Sequence, residues 1–127
     1  MRSEGMRCRG IRGATTVDAN TREAIFQATT ELLSQMVLAN DVQAEEVASV
    51  FFTTTRDLNA DFPALAARQL GWNDVALLCA HEMDVPGSLP MCLRILLHFN
   101  TEKRAEEIVH VYLRGARALR PDKNAFP

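Results

Sequence analysis

Arg9-Gly10-Ile11-Arg12-Gly13-Ala14-Thr15-Thr16-Val17 is the stretch on which the fold and the site both turn. It reads as the heart of a first strand over residues 7–17. Glycine beside an arginine weakens a strand, because it packs nothing and loses more backbone entropy on folding than any other residue. Such a sequence serves something other than stability. Glycine lets a second backbone or a ligand come close, and arginine presents a planar fork of donors suited to carboxylates and phosphates. The stretch therefore marks an anion held against a strand. Arg94, inside Cys92-Leu93-Arg94-Ile95-Leu96-Leu97, repeats the signal.

Working outward, Asn20 opens a helix, with Glu23 three residues on as its capping-box partner. Ile25, Ala28, Leu32, Met36 and Ala39 recur at helical spacing and give that helix one buried face, which Asn40-Asp41 closes. Gln43 to Val47 hold a single helical turn. Val47 to Thr54 is rich in Val, Phe and Thr and reads as a second strand. A polar loop follows, and Pro63 starts a short helix over residues 64–70 that Gly71 ends. Val75 to Cys79 is wholly apolar and predicts a strand buried on both faces. Pro86, Gly87, Ser88 and Pro90 make residues 80–90 a loop. Cys92 to Asn100 is a fourth strand, 101–107 a charged turn or short helix, and Val109 to Leu113 a fifth strand. The order β, α, β, α, β, β, β predicts an α+β fold: a mixed five-stranded sheet with helices on one side. One long helix covers only part of five strands, so the bare face calls for oligomerisation. The chain is read as one domain spanning 1–127, with flexible ends at 1–6 and 122–127.

Bulk properties narrow the function. Hydrophobic residues make up 47% of 127, enough for a packed core. A net charge of −2 and a pI near 5.9 argue against a general nucleic-acid binder. Cys8, Cys79 and Cys92 are odd in number and form no CxxC pair, which suits a reduced cytosol better than a disulfide framework. No apolar run reaches the roughly 18 residues of a membrane span, and Met1 to Gly5 lack a signal-peptide core.

Strand alternation sorts the chemistry. Arg9 and Arg12 point to opposite faces, whereas Arg94, Leu96 and His98 share one face, as do His110 and Tyr112. An unpaired buried arginine costs roughly 3–5 kcal/mol, so Arg94 needs a carboxylate from the protein or from a ligand. Glu82 and Asp84 are the protein candidates. For Glu82 a structural pairing with arginine is the default, with orienting a substrate hydroxyl or acting as a base the alternatives. Cys79, at the end of a buried strand, reads as a small core residue, and His81 shares its face only if the strand continues. Phe62 reads as a core or staple residue or a pocket lid, and Arg68 as a solvated helix charge. The three histidines are too widely spaced for a zinc pattern. No phosphate loop or nucleophile elbow is present. What remains is a set of anion-binding groups with one carboxylate and one tyrosine. Such a site catalyses by holding a dianion in a reactive conformation and stabilising the charge that develops.

Several spaced motifs together resemble one family. The Arg9-Gly-Ile-Arg12-Gly-Ala-Thr-Thr-Val opening, Phe62-Pro63-Ala64 with Arg68, Cys79-x-x-Glu82-Met83-Asp84, Leu93-Arg94-Ile95, and His110-Val-Tyr112-Leu with Leu119-Arg120-Pro121 look like the small monofunctional chorismate mutases of the bacterial trimeric type. The resemblance runs from Arg7 to Asp122 in order. It implies a cofactor-free Claisen rearrangement of chorismate to prephenate, on the way to phenylalanine and tyrosine. It also implies a homotrimer with a pseudo-barrel core and clefts between subunits. By resemblance, Arg12 and Tyr112 hold the enolpyruvyl carboxylate, and Arg94 meets the ether oxygen as its bond breaks. Glu82 and Cys79 surround the ring hydroxyl. Phe62, Arg68 and Leu119 line the pocket, and Arg120 stands near the tail. Leu78 departs from a common threonine and Leu65 from a position that can carry lysine. One residue is missing before Gly71-Trp72, and Pro90-Met91 alter the loop before the fourth strand. The alternative to an enzyme is a non-catalytic trimeric module on the same fold that binds or senses small carboxylates.

Overall fold

The computed structural model describes residues 5–120; the expected flexible tail lies outside them. Five strands, β1 (Arg7–Thr16), β2 (Val47–Thr54), β3 (Ala76–His81), β4 (Cys92–Thr101) and β5 (Val111–Tyr112), form one sheet in the order β3-β2-β4-β1-β5. β4 runs antiparallel to β1 and β2, while β1–β5 and β2–β3 are parallel pairs. This is the mixed sheet that the element order predicts. The α1 helix (Arg22–Asn40) packs on the sheet, and α2 (Ala64–Gln69) packs against α1 and β3.

Alternation divides the sheet into two unlike faces. Ile11, Val50, Phe52, Leu93, Ile95, Leu97 and Val111 meet Ile25, Leu32, Leu33 and Met36 of α1 in one core. Gly13 belongs to this covered face. A methyl group there would run into Met36 Sδ and come within 3.1 Å of Leu32 Cδ1. Its missing side chain therefore brings α1 close to the sheet, so the space is used for packing and not for a ligand. Among the described residues the other face carries no α-helix; a 3-10 segment, Arg114–Leu119, packs only at its β1–β5 edge, with Ala116 against Ala14 and Tyr112. The register of this face places Leu78, Phe51, Leu96 and Arg12 in one row across β3-β2-β4-β1. The next row is Ala80, Thr53, Arg94, Ala14 and Tyr112. Leu78 is 58% exposed, and Phe51 and Leu96 are 37% exposed.

Besides shifts of one or two residues at several element ends, three features differ from the sequence expectation. The N-cap of α1 is Thr21, whose Oγ1 accepts from Ala24 N at 3.1 Å. Asn20 instead grips the 59–60 loop: its Oδ1 accepts from Asn59 N and Ala60 N, and its Nδ2 donates to Asn59 Oδ1. A long-range partner outcompetes the local capping box. β3 is not buried on both faces. Among the described residues it is an edge strand paired only with β2, and Ala76, Leu78 and Ala80 are exposed on the side away from α1. β5 shrinks to two residues, because buried Asn40 holds the backbone of Val109 through both of its amide atoms. Entry to β4 is a left-handed turn at Met91 (φ 51), whose N–H donates to Asp57 Oδ2 at 3.0 Å.

Candidate active site

The face away from α1 gathers the charged groups. β1 supplies Arg12, β4 supplies Arg94 and β5 supplies Tyr112. Glu82 follows β3 directly and is fixed by its N–H donating to Thr54 O at 2.8 Å. All four line one cleft of about 280 Å³, with Phe51, Thr53 and Leu96. That volume is just under the range of roughly 300–1,000 Å³ typical of small-molecule pockets.

Arg94 Nε stands 3.6 Å from Glu82 Oε2, and Glu82 Oε1 accepts from Met83 N at 2.9 Å. The sequence reading treated Arg94 as buried. Its side chain is 41% exposed and that of Glu82 is 35% exposed, so the buried-charge penalty does not apply. A pair this open is worth roughly 0–1 kcal/mol. Stability does not account for placing it there. Asp84, the other candidate partner, pairs with Arg56 at 3.7 Å on the surface. Cys92 lies two residues from Arg94 on the same face and is buried. Burial pushes its thiol up, while the charge and hydrogen bond of Arg94 pull the other way. Tyr112 is 5% exposed and packed with Ala14 and Ala116, and Leu119 leans on this cluster.

The remaining sequence candidates lie elsewhere on the chain. Phe62, Arg68 and Cys79 surround a second hollow of about 310 Å³, with Leu77 and Leu78, between α2 and β3. Phe62 is 70% exposed and so is not a core residue in the single chain. Burial pushes the Cys79 thiol up, opposed by the Ala64 backbone N–H and the Arg68 charge. β3 does continue through His81, so His81 shares the Cys79 face; its Nδ1 lies 3.2 Å from both Thr54 Oγ1 and Thr54 O. Leu65 turns toward Arg22, Phe26 and Gln69 at the α1–α2 groove, away from both hollows.

Sequence reading did not single out Thr53. It lines the cleft beside Arg94, and its buried Oγ1 has no hydrogen-bond partner among the described residues. The clue was its parity on β2, two residues from Phe51. Among the described residues no group of three His, Cys, Asp or Glu could hold a metal ion.

Two guanidinium groups, one carboxylate and a tyrosine converging on an open sheet face fit a small anionic organic substrate. The class so defined is an enzyme that works by electrostatics and positioning. Residues 8–123 match the family model described as chorismate mutase type I. The chain is 56% identical over 115 residues to the chorismate mutase AroH of Thermus thermophilus, covering 90% of this chain and 94% of that one. It is 44% identical over 118 residues to AroH of Bacillus subtilis, covering 92% and 93%. A chorismate mutase structure from Clostridium thermocellum superimposes with a TM-score of 0.85 at 49% identity, over 86% of this chain and 97% of that one. The chain belongs to the type I chorismate mutase family. It is an enzyme that isomerises chorismate to prephenate.

Proposed function

We propose that the reaction runs in a cleft that two copies of the chain complete together, within a homotrimer. Two observations support the shared cleft. The residues assigned to the site fall into two hollows on one chain, Arg12, Glu82, Arg94 and Tyr112 in the first and Phe62, Arg68 and Cys79 in the second. Between them runs the exposed apolar row of Leu78, Phe51 and Leu96. Docking the second hollow of one copy onto the first of another closes the cleft and covers the row. The faces away from α1 then form the pseudo-barrel core.

The rearrangement breaks the ether C–O bond and forms a C–C bond within one molecule. No proton, hydride or electron leaves or enters. The protein has two tasks, to select the folded conformer and to meet the negative charge that grows on the ether oxygen. Arg12 and Tyr112 hold the enolpyruvyl carboxylate. Glu82 and Cys79 engage the ring hydroxyl, while Phe62, Arg68 and Leu119 close the walls. The placement of Arg94 carries the mechanism: a guanidinium in the cleft, held but not neutralised in a buried pair, is preorganised for the ether oxygen. An acceleration of about 10⁶ corresponds to about 8 kcal/mol. Arg94 supplies about 3–4 kcal/mol of that, and conformer selection the rest.

The match over residues 8–123 supports reading the chain as one domain. Among the described residues no helix is long and apolar enough to cross a membrane. With three free cysteines this supports a cytoplasmic enzyme of phenylalanine and tyrosine synthesis. The direct test is loss of chorismate absorbance with purified protein. Turnover far above background is expected; none from an assembled trimer would favour the carboxylate-binding module.

A further inference from the structure

The sheet edge beside Arg12 is built from side chains where backbone is expected. In the parallel β1–β5 ladder, Gly13 and Ala14 pair with Val111 and Tyr112, and Leu113 N donates to Ala14 O at 2.9 Å. Carried two residues back, that register would send the Arg12 N–H to the carbonyl of Val109. The Val109 carbonyl is engaged elsewhere. It accepts from Asn40 Nδ2 at 2.9 Å, while Val109 N donates to Asn40 Oδ1 at 2.8 Å. Asn40 is 1% exposed, and its Nδ2 also donates to Met36 O at 2.9 Å. The last residue of α1 thus draws the chain before β5 out of the ladder. The Arg12 N–H is met instead by His110 Nδ1 at 2.9 Å.

We infer that His110 is a positioning residue for Arg12: its ring nitrogen replaces the missing ladder carbonyl and fixes the backbone from which the Arg12 guanidinium enters the cleft. The inference rests on the reading of Arg12 as the group that holds a substrate carboxylate. The chemistry is specific. Nδ1 accepts only with its lone pair free, so the proton of the neutral ring sits on Nε2. An unanchored Arg12 still carries its charge. Its loss of position therefore weakens capture of substrate and leaves the Arg94 step intact.

The test compares two substitutions. His110→Asn keeps an acceptor near the place of Nδ1; His110→Leu keeps bulk and removes it. His110→Leu should raise KM for chorismate about 3- to 10-fold, the size that loss of one hydrogen bond gives, with kcat changed less than about 2-fold. His110→Asn should return KM close to that of the unaltered protein. The Arg12 amide cross-peak in a ¹⁵N–¹H spectrum should move in the Leu variant and return in the Asn variant. Equal KM values for the Leu and Asn variants overturn the inference. Should the Leu variant not fold, His110→Gln takes its place, because it moves the acceptor to the position of Nε2; a KM matching His110→Asn then overturns it. Arg12→Lys separates the two levels. A raised KM in Arg12→Lys with none in His110→Leu sinks the role of His110 alone, whereas an unchanged KM in Arg12→Lys sinks the carboxylate reading beneath it. In the double variant His110→Leu/Arg12→Ala the effects should not add.

Discussion

Arg94 Nε and Glu82 Oε2 lie 3.6 Å apart in the cleft they share, and both side chains remain more than a third exposed. An ion pair in that setting contributes roughly 0–1 kcal/mol to folding. Its value lies in where it holds the guanidinium. In the single chain Glu82 is the carboxylate that meets the Arg94 guanidinium. On the proposed reading of the cleft, the same carboxylate would turn to the ring hydroxyl and Arg94 to the ether oxygen.

Arg94→Ala should therefore separate chemistry from stability. We expect kcat to fall by at least ~10²–10³-fold, with the unfolding free energy changed by less than about 1 kcal/mol. Paired kinetics and thermal melts check this. Near-normal kcat would make Arg94 a structural residue; a collapse in stability would mean that its pairing is worth more than its exposure allows.

The two separate hollows give a test of subunit sharing. Arg94→Ala disables the hollow that holds Arg12 and Tyr112, and Arg68→Ala disables the one that holds Phe62 and Cys79. Each variant alone should be poorly active. Unfolded together and reassembled in equal amounts, they form mixed trimers in which about one quarter of the interfaces join two intact halves. Activity should recover to about that fraction. Light scattering should give three times the 14.1 kDa chain mass. No recovery in trimers shown to be mixed would place each complete site within one chain.

Much of this arrangement was legible in the sequence, and the exceptions share a cause. Strand parity alone placed Arg94 with Leu96 and His98 and opposed them to Leu93 and Ile95, as the register shows. Helical spacing found most of the buried face of α1. Long-range partners were not legible. Nothing local says that Asn20 will bind the 59–60 loop in place of capping α1, or that Asn40 will truncate β5 from 69 residues away. The apolar run at Val75 to Cys79 misled for a related reason. Its outward residues are apolar although the single chain leaves them bare, so an apolar run did not by itself mean that both faces of the strand are covered. Likewise the family motifs listed the candidate groups together, while only the fold showed that Phe62, Arg68 and Cys79 stand apart from Arg12 and Arg94.

The two glycines flanking Arg12 should respond oppositely to alanine. At Gly13 the new methyl meets Met36 Sδ and Leu32 on the covered face. Overpacking of this kind costs about 1–3 kcal/mol, which melting should register as a drop of roughly 4 °C per kcal/mol. At Gly10 the nearest atoms, on His98 and Leu96, lie 3.6 Å away, an ordinary contact. There the restricted unfolded chain offsets the change, so stability should be unaltered or higher by about 0.4–1 kcal/mol. Equal losses at both positions would mean that Gly13 is not what lets α1 approach the sheet.

Stability should fall at both ends of the pH scale for separate reasons. At the acid end the group is Asp57. The Thr55 hydroxyl holds its carboxyl below the usual range, with the Met91 N–H adding to the effect and desolvation opposing it. A folded pKa below the unfolded one means that the contribution is present above the unfolded value, about 3.9, and is lost as pH falls through the folded value. At the alkaline end the groups are Cys79 and Cys92, whose thiols burial pushes up. Their contribution is complete below the unfolded thiol value, about 8.5, and is lost as pH rises through the folded values, because the unfolded chain releases those protons first. Melting temperature should therefore be flattest between about pH 4 and 8.5. Asp57→Asn should flatten the acid limb and leave the alkaline limb alone, while Cys79→Ala should make the alkaline limb shallower in part, Cys92 keeping the rest, and leave the acid limb alone. The acid limb is the sharper test, since Asp57 also holds Met91 in its left-handed turn at the start of β4. An unchanged acid limb in Asp57→Asn would mean that other carboxylates, not this one, fix the lower edge of the range.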